Sequence, residues 1–389
     1  MSIARHYVLA AGGTGGHMVP AHALGRELVE RGHRVALITD ERGARIPGLF
    51  KTDVETHVMP AGRLAGGLLG WLKAGRSILA GRAMARRLYR RADPMAVVGF
   101  GGYPALPALM GALADGIPTV IHEQNAVLGR VNRYLAKKVD AIATAYPVIE
   151  RLPEGVEGKI HLVGNPVREE VLALRGQPFP ALSSSLNVLV TGGSQGATIL
   201  SKVVPDGLAA LPAELRSKLR IVQQCRPEDI EGVKARYAEL GLAADLLTYI
   251  EDMPARLADA HLVVARAGAS TIAELTVAGR PAILVPLPSA MDDHQTVNAR
   301  EMAETGGARA IAQTAFTAEA LAAAIVDMAQ DLPQTAALAA ATGRPDATRD
   351  LADLLESIGP SPIVTPLKVK EEPVVGLAAP AALAMEGRR

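Results

Sequence analysis

The chain holds one cysteine, Cys225, in 389 residues, so no internal disulfide can form and the sequence suits a reducing compartment. Aromatic residues make up only 3%. That scarcity argues against an aromatic-rich β-sandwich, and the apolar side is carried by Ala, Val, Leu and Ile, as in parallel strands covered by helices. Net charge is +1. The chain as a whole therefore has no electrostatic footprint for nucleic acid, and an anionic partner has to be met by a local patch. There is no Walker loop, no HExxH and no Cys/His metal spacing. No Asp-x-Asp occurs either, so nothing advertises a divalent ion on a diphosphate; neither a metal nor a cofactor is expected. The N-terminus runs straight into an apolar strand and a glycine loop, without a charged n-region, an apolar h-region or a cleavage site, and no signal peptide is expected. One uncharged run, Pro94–Ala114, is long enough to span a bilayer. It contains Pro104, Pro107 and four glycines, and reads better as a strand, a glycine turn and a helix.

What the chain does have is periodicity. Hydrophobic residues make up 49%, and at roughly 150 residues per domain the length allows two or three domains with full cores. Tyr7–Ala11, Arg34–Thr39, Ala96–Phe100, Thr119–His122 and Ala141–Thr144 read as buried strands. Helical spacing separates them, as in Ala21–Arg31 and Val127–Lys138. The pattern then restarts with Asn187–Thr191, Leu219–Gln223, Leu246–Ile250, Leu262–Ala265 and Ala282–Val285, with helices over Pro227–Leu240 and Thr271–Ala278. Such alternation implies βαβ units and parallel sheets. The segment Tyr7–Gly16 is echoed by Asn187–Gly196, each an apolar strand ending in a glycine loop that opens a helix. Two Rossmann-like α/β domains follow, 1–163 and 164–344, with the boundary near Val163–Asn165. Ala347–Ile358 reads as a last helix, and 360–389, rich in Pro, Ala and Val, as a poorly ordered tail.

The chemistry-bearing residues gather where strands end, the edge at which open α/β sheets bind ligands. Gly12-Gly-Thr-Gly-Gly-His17 lets backbone N–H groups approach an anion at a helix N-terminus. It is not the dinucleotide fingerprint, because Met18 stands where the third glycine belongs. Asp40 does sit where a ribose-binding acid of a nicotinamide enzyme would. His17, at a helix N-terminus, is favoured in its neutral form and suits a general base; alternatively it holds the loop through hydrogen bonds. Gly192-Gly-Ser-Gln-Gly196 is the matching loop, where Ser194 can donate to a phosphate. In Arg266-Ala-Gly-Ala-Ser-Thr-Ile-Ala-Glu274, Ser270 or Thr271 can cap a helix, and Glu274 about one turn inside can accept from both hydroxyls of a ribose. Asp292-Asp-His-Gln-Thr-Val-Asn298 offers amides and carboxylates to sugar hydroxyls. His122-Glu-Gln-Asn125 and Phe100-Gly-Gly-Tyr-Pro104 also end strands, and Arg168 in Gly164-Asn-Pro-Val-Arg168 can hold a diphosphate. The stretch Gly62–Ala92 carries Arg63, Lys73, Arg76, Arg82, Arg86, Arg87, Arg90 and Arg91 without one acid, interleaved with Leu68, Leu69, Trp71, Leu72, Ile78 and Leu79. Basic and apolar groups together favour an anionic membrane surface, unless the arginines pair with acids elsewhere.

These segments, in this order over residues 5 to about 355, resemble the MurG family, the undecaprenyl-diphospho-muramoylpentapeptide N-acetylglucosaminyltransferases. The resemblance implies a glycosyltransferase B fold, two Rossmann-like domains facing a cleft, with the last helix (about 345–358) returning to the first domain. It implies UDP-N-acetylglucosamine as donor and lipid I (undecaprenyl-pyrophosphoryl-MurNAc-pentapeptide) as acceptor. The product would be lipid II, formed by inversion at the cytoplasmic face of the bacterial inner membrane beside other cell-wall synthesis and division proteins. By position, Arg168 and Ser194 match diphosphate contacts, Glu274 the ribose acid, Ile250 a backbone contact to uracil, Ala269 and Ser270 further nucleotide contacts, and Gln295 a donor-sugar contact. Thr14, Gly15, Gly16 and Asn125 match substrate contacts, and His17 and Tyr103 lie near the acceptor. Ala105 and His294 depart from the residues that many relatives carry there.

The expected reaction is an in-line displacement at the anomeric carbon, with His17 as base and helix N-termini and Arg168 stabilising the leaving diphosphate. Two enzymatic alternatives stay open from the residues. One is a transferase of the same fold acting on a diacylglycerol. The other is a nicotinamide-dependent dehydrogenase using Gly12–Gly16 and Asp40, which leaves Glu274, Gln295 and the second glycine loop unexplained. A non-catalytic sugar-nucleotide sensor would not need the acceptor-side motifs.

Overall fold

The computed structural model describes residues 4–13, 15–46, 49–50, 54–59, 68–182, 185–193 and 196–358, with the backbone alone for 68–73. Thr14, Ser194, the 62–67 part of the basic stretch and the 360–389 tail lie outside the described residues.

The first sheet contains β1 (His6–Ala11), β2 (Arg34–Thr39), β3 (Glu55–Val58), β4 (Ala96–Gly101), β5 (Thr119–Glu123), β6 (Ala141–Thr144) and β7 (Ile160–Leu162). Their order is β3-β2-β1-β4-β5-β6-β7. The second contains β8 (Leu186–Thr191), β9 (Leu219–Gln224), β10 (Ala244–Leu247), β11 (Leu262–Ala265), β12 (Ala282–Leu284) and β13 (Ala308–Ala310), in the order β10-β9-β8-β11-β12-β13. Every pairing among these strands is parallel. Central strands such as β1 and β5 are buried along their whole length. That requires continuous apolar runs and two covered faces. In both sheets the order reverses beside the first strand, between β1 and β4 and between β8 and β11. At such a switch point the flanking crossovers leave in opposite directions and open a crevice at the carboxyl edge.

Helices differ from the sequence reading chiefly at their starts. The first runs Gly15–Glu30 with Pro20 inside it, so Gly15 and Gly16 form its first turn and are not part of the loop. Pro20 has no N–H to offer the Gly16 carbonyl. The second-half strand read as Leu246–Ile250 is Ala244–Leu247. The short strands β3, β7 and β13 were not foreseen: they carry exposed, polar positions and lack the apolar run that marks a central strand.

The last helix, Ala347–Ile358, packs on the Gly15–Glu30 helix, with Leu351, Leu354 and Leu355 buried in the core of the first sheet. Full burial of a leucine contributes roughly 1.5–3 kcal/mol. Its polar face is tied by Arg31 to Asp353 (2.6 Å) and by His33 Nε2 to Glu356 (2.7 Å). Chain that leaves the second sheet thus completes the first.

Candidate functional site

Two glycine turns interlock at the end of β1. A side chain on Gly12 would lie 2.6 Å from Pro104, and one on Gly102, whose φ is +76°, would lie 2.6 Å from the Gly12 carbonyl oxygen. Only glycine permits that approach and that left-handed backbone. His17 closes the corner, with Nδ1 3.0 Å from the Gly12 carbonyl oxygen and Nε2 beside Gly101. A carbonyl only accepts, so Nδ1 carries the hydrogen and Nε2 presents its lone pair. Burial lowers the His17 pKa below that of a free histidine; the Gly12 carbonyl and Glu123 partly oppose this. The imidazole is therefore neutral and held in one tautomer.

Asp40 behaves differently from a ribose-binding acid. It is buried, and its Oδ1 accepts from Gly13 N (3.1 Å) and Gly43 N (2.7 Å), so it caps a short helix and shapes the first loop. This removes the feature that kept a nicotinamide-dependent dehydrogenase open.

At the end of β5 every side chain of the His122–Asn125 run is engaged. His122 Nε2 lies 2.9 Å from the Gly164 carbonyl and its Nδ1 accepts from Gln124 Nε2 at 2.9 Å. Burial drives its pKa down to about 4, so His122 is a neutral tie to the crossing between the halves. Glu123 Oε1 accepts from the Asn125 backbone and side-chain nitrogens, both at 3.1 Å. Its Oε2 accepts from Gly129 N and Asn132 Nδ2, both at 2.8 Å. Four donors hold this buried carboxylate, and through it Asn125.

In the second half, Gln224 Oε1 accepts from Thr191 Oγ1 (2.9 Å) and Gly192 N (3.2 Å), bracing the second glycine loop. The helix after it, Thr198–Ala209, has no side-chain cap. Nor does Ala269–Ala278: its cap is Gly268, not the Ser270 or Thr271 expected from the sequence. The hydroxyl of Ser270 is buried and has no hydrogen-bond partner among the described residues. An uncapped helix start with a spare hydroxyl is ready to receive an anion. Beside it, Arg168 Nε donates to Glu274 Oε1 at 2.9 Å. Burial raises the pKa of Glu274, while Arg168 opposes the rise. Ile250 is buried, and Gln295 Oε1 accepts from Leu287 N at 3.0 Å, which directs its NH2. Arg266 braces the strand-end turn through the Val285 and Pro286 carbonyls, both at 3.0 Å.

The two halves meet through a hub that sequence reasoning missed. Asp292, at φ 56°, receives Arg133 (2.7 Å), Arg151 (2.6 Å) and Arg130 (3.6 Å) from the first half. Arg300 pairs with Glu150 at 2.7 Å, and Val297 packs against Ala126 and Val127. Asn298 donates to Asn125 and accepts from Ala126 N. These partners are about 140 to 170 positions apart, so no local pattern could pair them; the quoted Asp292–Asn298 motif was the only available signal.

Of the residues expected at the site, Gly15, Gly16 and His17 lie in the first turn of the helix that follows the first glycine turn, and Tyr103 lies on the turn locked against that corner. Asn125 sits at the end of β5, and Arg168, Ala269, Ser270 and Glu274 cluster in the second half. The basic helix is Leu68–Ala92. Arg86 pairs with Asp115 (2.7 Å), whereas Arg76, Arg87, Arg90 and Arg91 have no ion pair among the described residues, and Leu79 is 62% exposed. No helix among the described residues is long and apolar enough to cross a membrane.

Residues 7–144 match the glycosyltransferase family 28 N-terminal domain and residues 187–355 its C-terminal domain. A relative from Novosphingobium aromaticivorans, named UDP-N-acetylglucosamine–N-acetylmuramyl-(pentapeptide) pyrophosphoryl-undecaprenol N-acetylglucosamine transferase, is 62% identical over 375 residues, covering 95% of this chain and 96% of that protein. One of the same name from Zymomonas mobilis is 59% identical over 364 residues, covering 92% and 94%. The crystal structure of Acinetobacter baumannii MurG superposes with a TM-score of 0.71 at 32% identity, covering 91% of this chain and 99% of that one. With two parallel α/β domains and these relatives along nearly its whole length, the chain belongs to glycosyltransferase family 28 and has the glycosyltransferase B fold.

Proposed function

We propose that this protein moves N-acetylglucosamine from UDP-N-acetylglucosamine to the C4 hydroxyl of the muramyl sugar of undecaprenyl-pyrophosphoryl-MurNAc-pentapeptide, with inversion at the donor carbon. The observation that carries the reading is the 62% identity, over 95% of the chain, to a relative named for that transfer. The site geometry supports it. Arg168 and the uncapped start of Ala269–Ala278, with the Ser270 hydroxyl, receive the diphosphate. Glu274 accepts from the ribose, Ile250 meets the base and Gln295 the donor sugar. Thr14 and Ser194 lie outside the described residues and are assigned from sequence position alone, Thr14 as a substrate contact and Ser194 as a diphosphate contact. In the first half, Gly15, Gly16, Tyr103 and Asn125 line the acceptor side.

In the displacement, the acceptor oxygen bonds to the anomeric carbon as the bond to the diphosphate oxygen breaks. The pair of electrons leaves with UDP, and the hydroxyl proton passes to Nε2 of His17. Positive helix ends and the Arg168 guanidinium stabilise charge growing on the leaving group. We place the division between the halves near Val163–Asn165, with Ala347–Ile358 counted in the first. The face of Leu68–Ala92 that carries Arg76, Arg87, Arg90 and Arg91 docks the protein on anionic lipid at the cytoplasmic face of the inner membrane, where its acceptor resides.

The test is transfer of labelled N-acetylglucosamine to a lipid I analogue, with no added metal and then in EDTA. Product in both conditions is expected. Intact UDP-N-acetylglucosamine binding without product would refute the acceptor and keep the donor site.

A further inference from the structure

Asn298 has no solvent exposure, and it sits on the helix His294–Glu304 that also carries Gln295. Its Oδ1 accepts from Ala126 N at 2.8 Å, and its Nδ2 donates to Asn125 Oδ1 at 3.1 Å and to the Ala267 carbonyl at 3.3 Å. Asn125 Nδ2 in turn donates to Glu123 Oε1 at 3.1 Å. The direction of this chain is forced. A backbone N–H only donates, so it fixes which end of the Asn298 amide faces Ala126. A carboxylate held by four N–H groups only accepts, so it fixes the Asn125 amide from the other side. Neither amide can flip without placing two acceptors face to face. The second hydrogen of Asn125 Nδ2 is thereby aimed in one direction.

We infer that Asn298 is a positioning residue that sets the orientation of the Asn125 amide across the cleft, so that the acceptor side is correctly arranged only when the donor half is docked on it. The inference rests on the proposed reading of Asn125 as a substrate contact. Ala267 immediately precedes the Gly268 cap of the helix bearing Ser270 and Glu274, so one side chain touches both substrate halves. The donor loop does not depend on it alone, because Arg266 holds that turn independently.

The experiment is a double-mutant cycle in the full chain with N125A, N298A and N125A/N298A, read as kcat/KM for transfer to the acceptor. UDP affinity is measured by calorimetry alongside. A misplaced contact group costs on the order of 10- to 100-fold, and that loss is expected for each single variant. The double variant should be no more than about 3-fold worse than either single one, because both break one device. N298D serves as a second variant if N298A does not fold. It keeps the bond from Ala126 but sets a carboxylate against Asn125 Oδ1. It should lose transfer by a similar factor and bind UDP within about 3-fold of the parent. Multiplying losses in the cycle, or a loss of UDP affinity equal to the loss of turnover, would overturn the positioning role while leaving the transferase reading in place. Full activity of N125A would overturn both the positioning role and the reading of Asn125.

Discussion

Replacement of Glu274 by alanine should separate binding from folding. The carboxylate is buried and takes one hydrogen bond from Arg168 at 2.9 Å. The Arg168 side chain is 38% exposed, so water screens the pair and its loss costs about 1 kcal/mol or less. Removing a charge that the site desolvates offsets part of that cost. Thermal unfolding should therefore change little. Binding should change much more. A carboxylate can accept about four hydrogen bonds, and Arg168 uses one. Two ribose hydroxyls donating to a charged acceptor are each worth about 1.5–3 kcal/mol before ordering costs. A net loss of about 2–4 kcal/mol corresponds to roughly 30- to 1,000-fold in UDP affinity. Calorimetric titration with UDP measures it, and 2′,3′-dideoxy-UDP is the control that the variant should bind as the parent does. An E274A protein that binds UDP within about 3-fold of the parent, or loses affinity equally for both ligands, would refute the ribose assignment. The pH dependence adds a second check. Burial raises the Glu274 pKa against the opposing Arg168, so UDP affinity should begin to fall on acidification above the ordinary glutamate range. A raised acid stabilises the fold below its unfolded pKa and loses that contribution as pH rises through the folded one. Through this group, acidification therefore weakens binding while it favours folding.

His17→Ala should lower kcat by about 10²- to 10⁴-fold, as expected for loss of a general base, and leave UDP affinity unchanged. Because burial lowers the His17 pKa below 6.5, the acid limb of kcat should fall below that pH; a limb above it would point to another group. Asp292→Asn tolerates the left-handed backbone but leaves three arginines without their counter-charge, and should destabilise the fold by about 1–2 kcal/mol by denaturant titration. Burial raises the Asp292 pKa, but Arg133, Arg151 and Arg130 outweigh it and hold it below 3.8. The contribution is therefore present above the unfolded value and lost only as pH falls through the lowered one. The gap between parent and variant should be the same at pH 7 and pH 5, and a gap that closes by pH 5 would refute the ion-pair account. Reversing Arg76, Arg87, Arg90 and Arg91 together should abolish flotation with anionic liposomes and spare transfer to a water-soluble acceptor. Arg86 is left in place because it pairs with Asp115. Flotation that ignores anionic lipid content would count against the membrane face.

The central strands and the glycine turns after them were legible because their signals are local. A strand buried on both faces must be an apolar run, and a backbone that must turn left-handed within 3 Å of another segment must be glycine. Gly12 and Gly102 were visible as turn glycines, yet their mutual contact was not, since about ninety residues separate them. The edge strands β3 and β13 carried no such run and were missed. The start of the first helix was misplaced because glycines and a proline disguise a first turn that local propensity would not favour.

By itself the sequence determined the class of the protein: two α/β halves, a glycine loop opening each, and an ordered set of strand-end motifs that matches one family. Those properties depend on residue type and short spacing. Which groups remain available for chemistry was decided by tertiary structure. Asp40 looked like a ribose ligand and is consumed by two backbone amides. Glu123 lay in a strand-end motif and is saturated by four donors. Ser270 looked like a cap and its hydroxyl has no partner among the described residues. Asn298 was read with its motif as an amide offered to sugar hydroxyls and is instead taken up by Ala126 and Asn125 of the first half. Hydrogen-bond capacity is finite and is allocated in three dimensions, so the same side chain becomes scaffold or ligand according to the partners the fold brings to it.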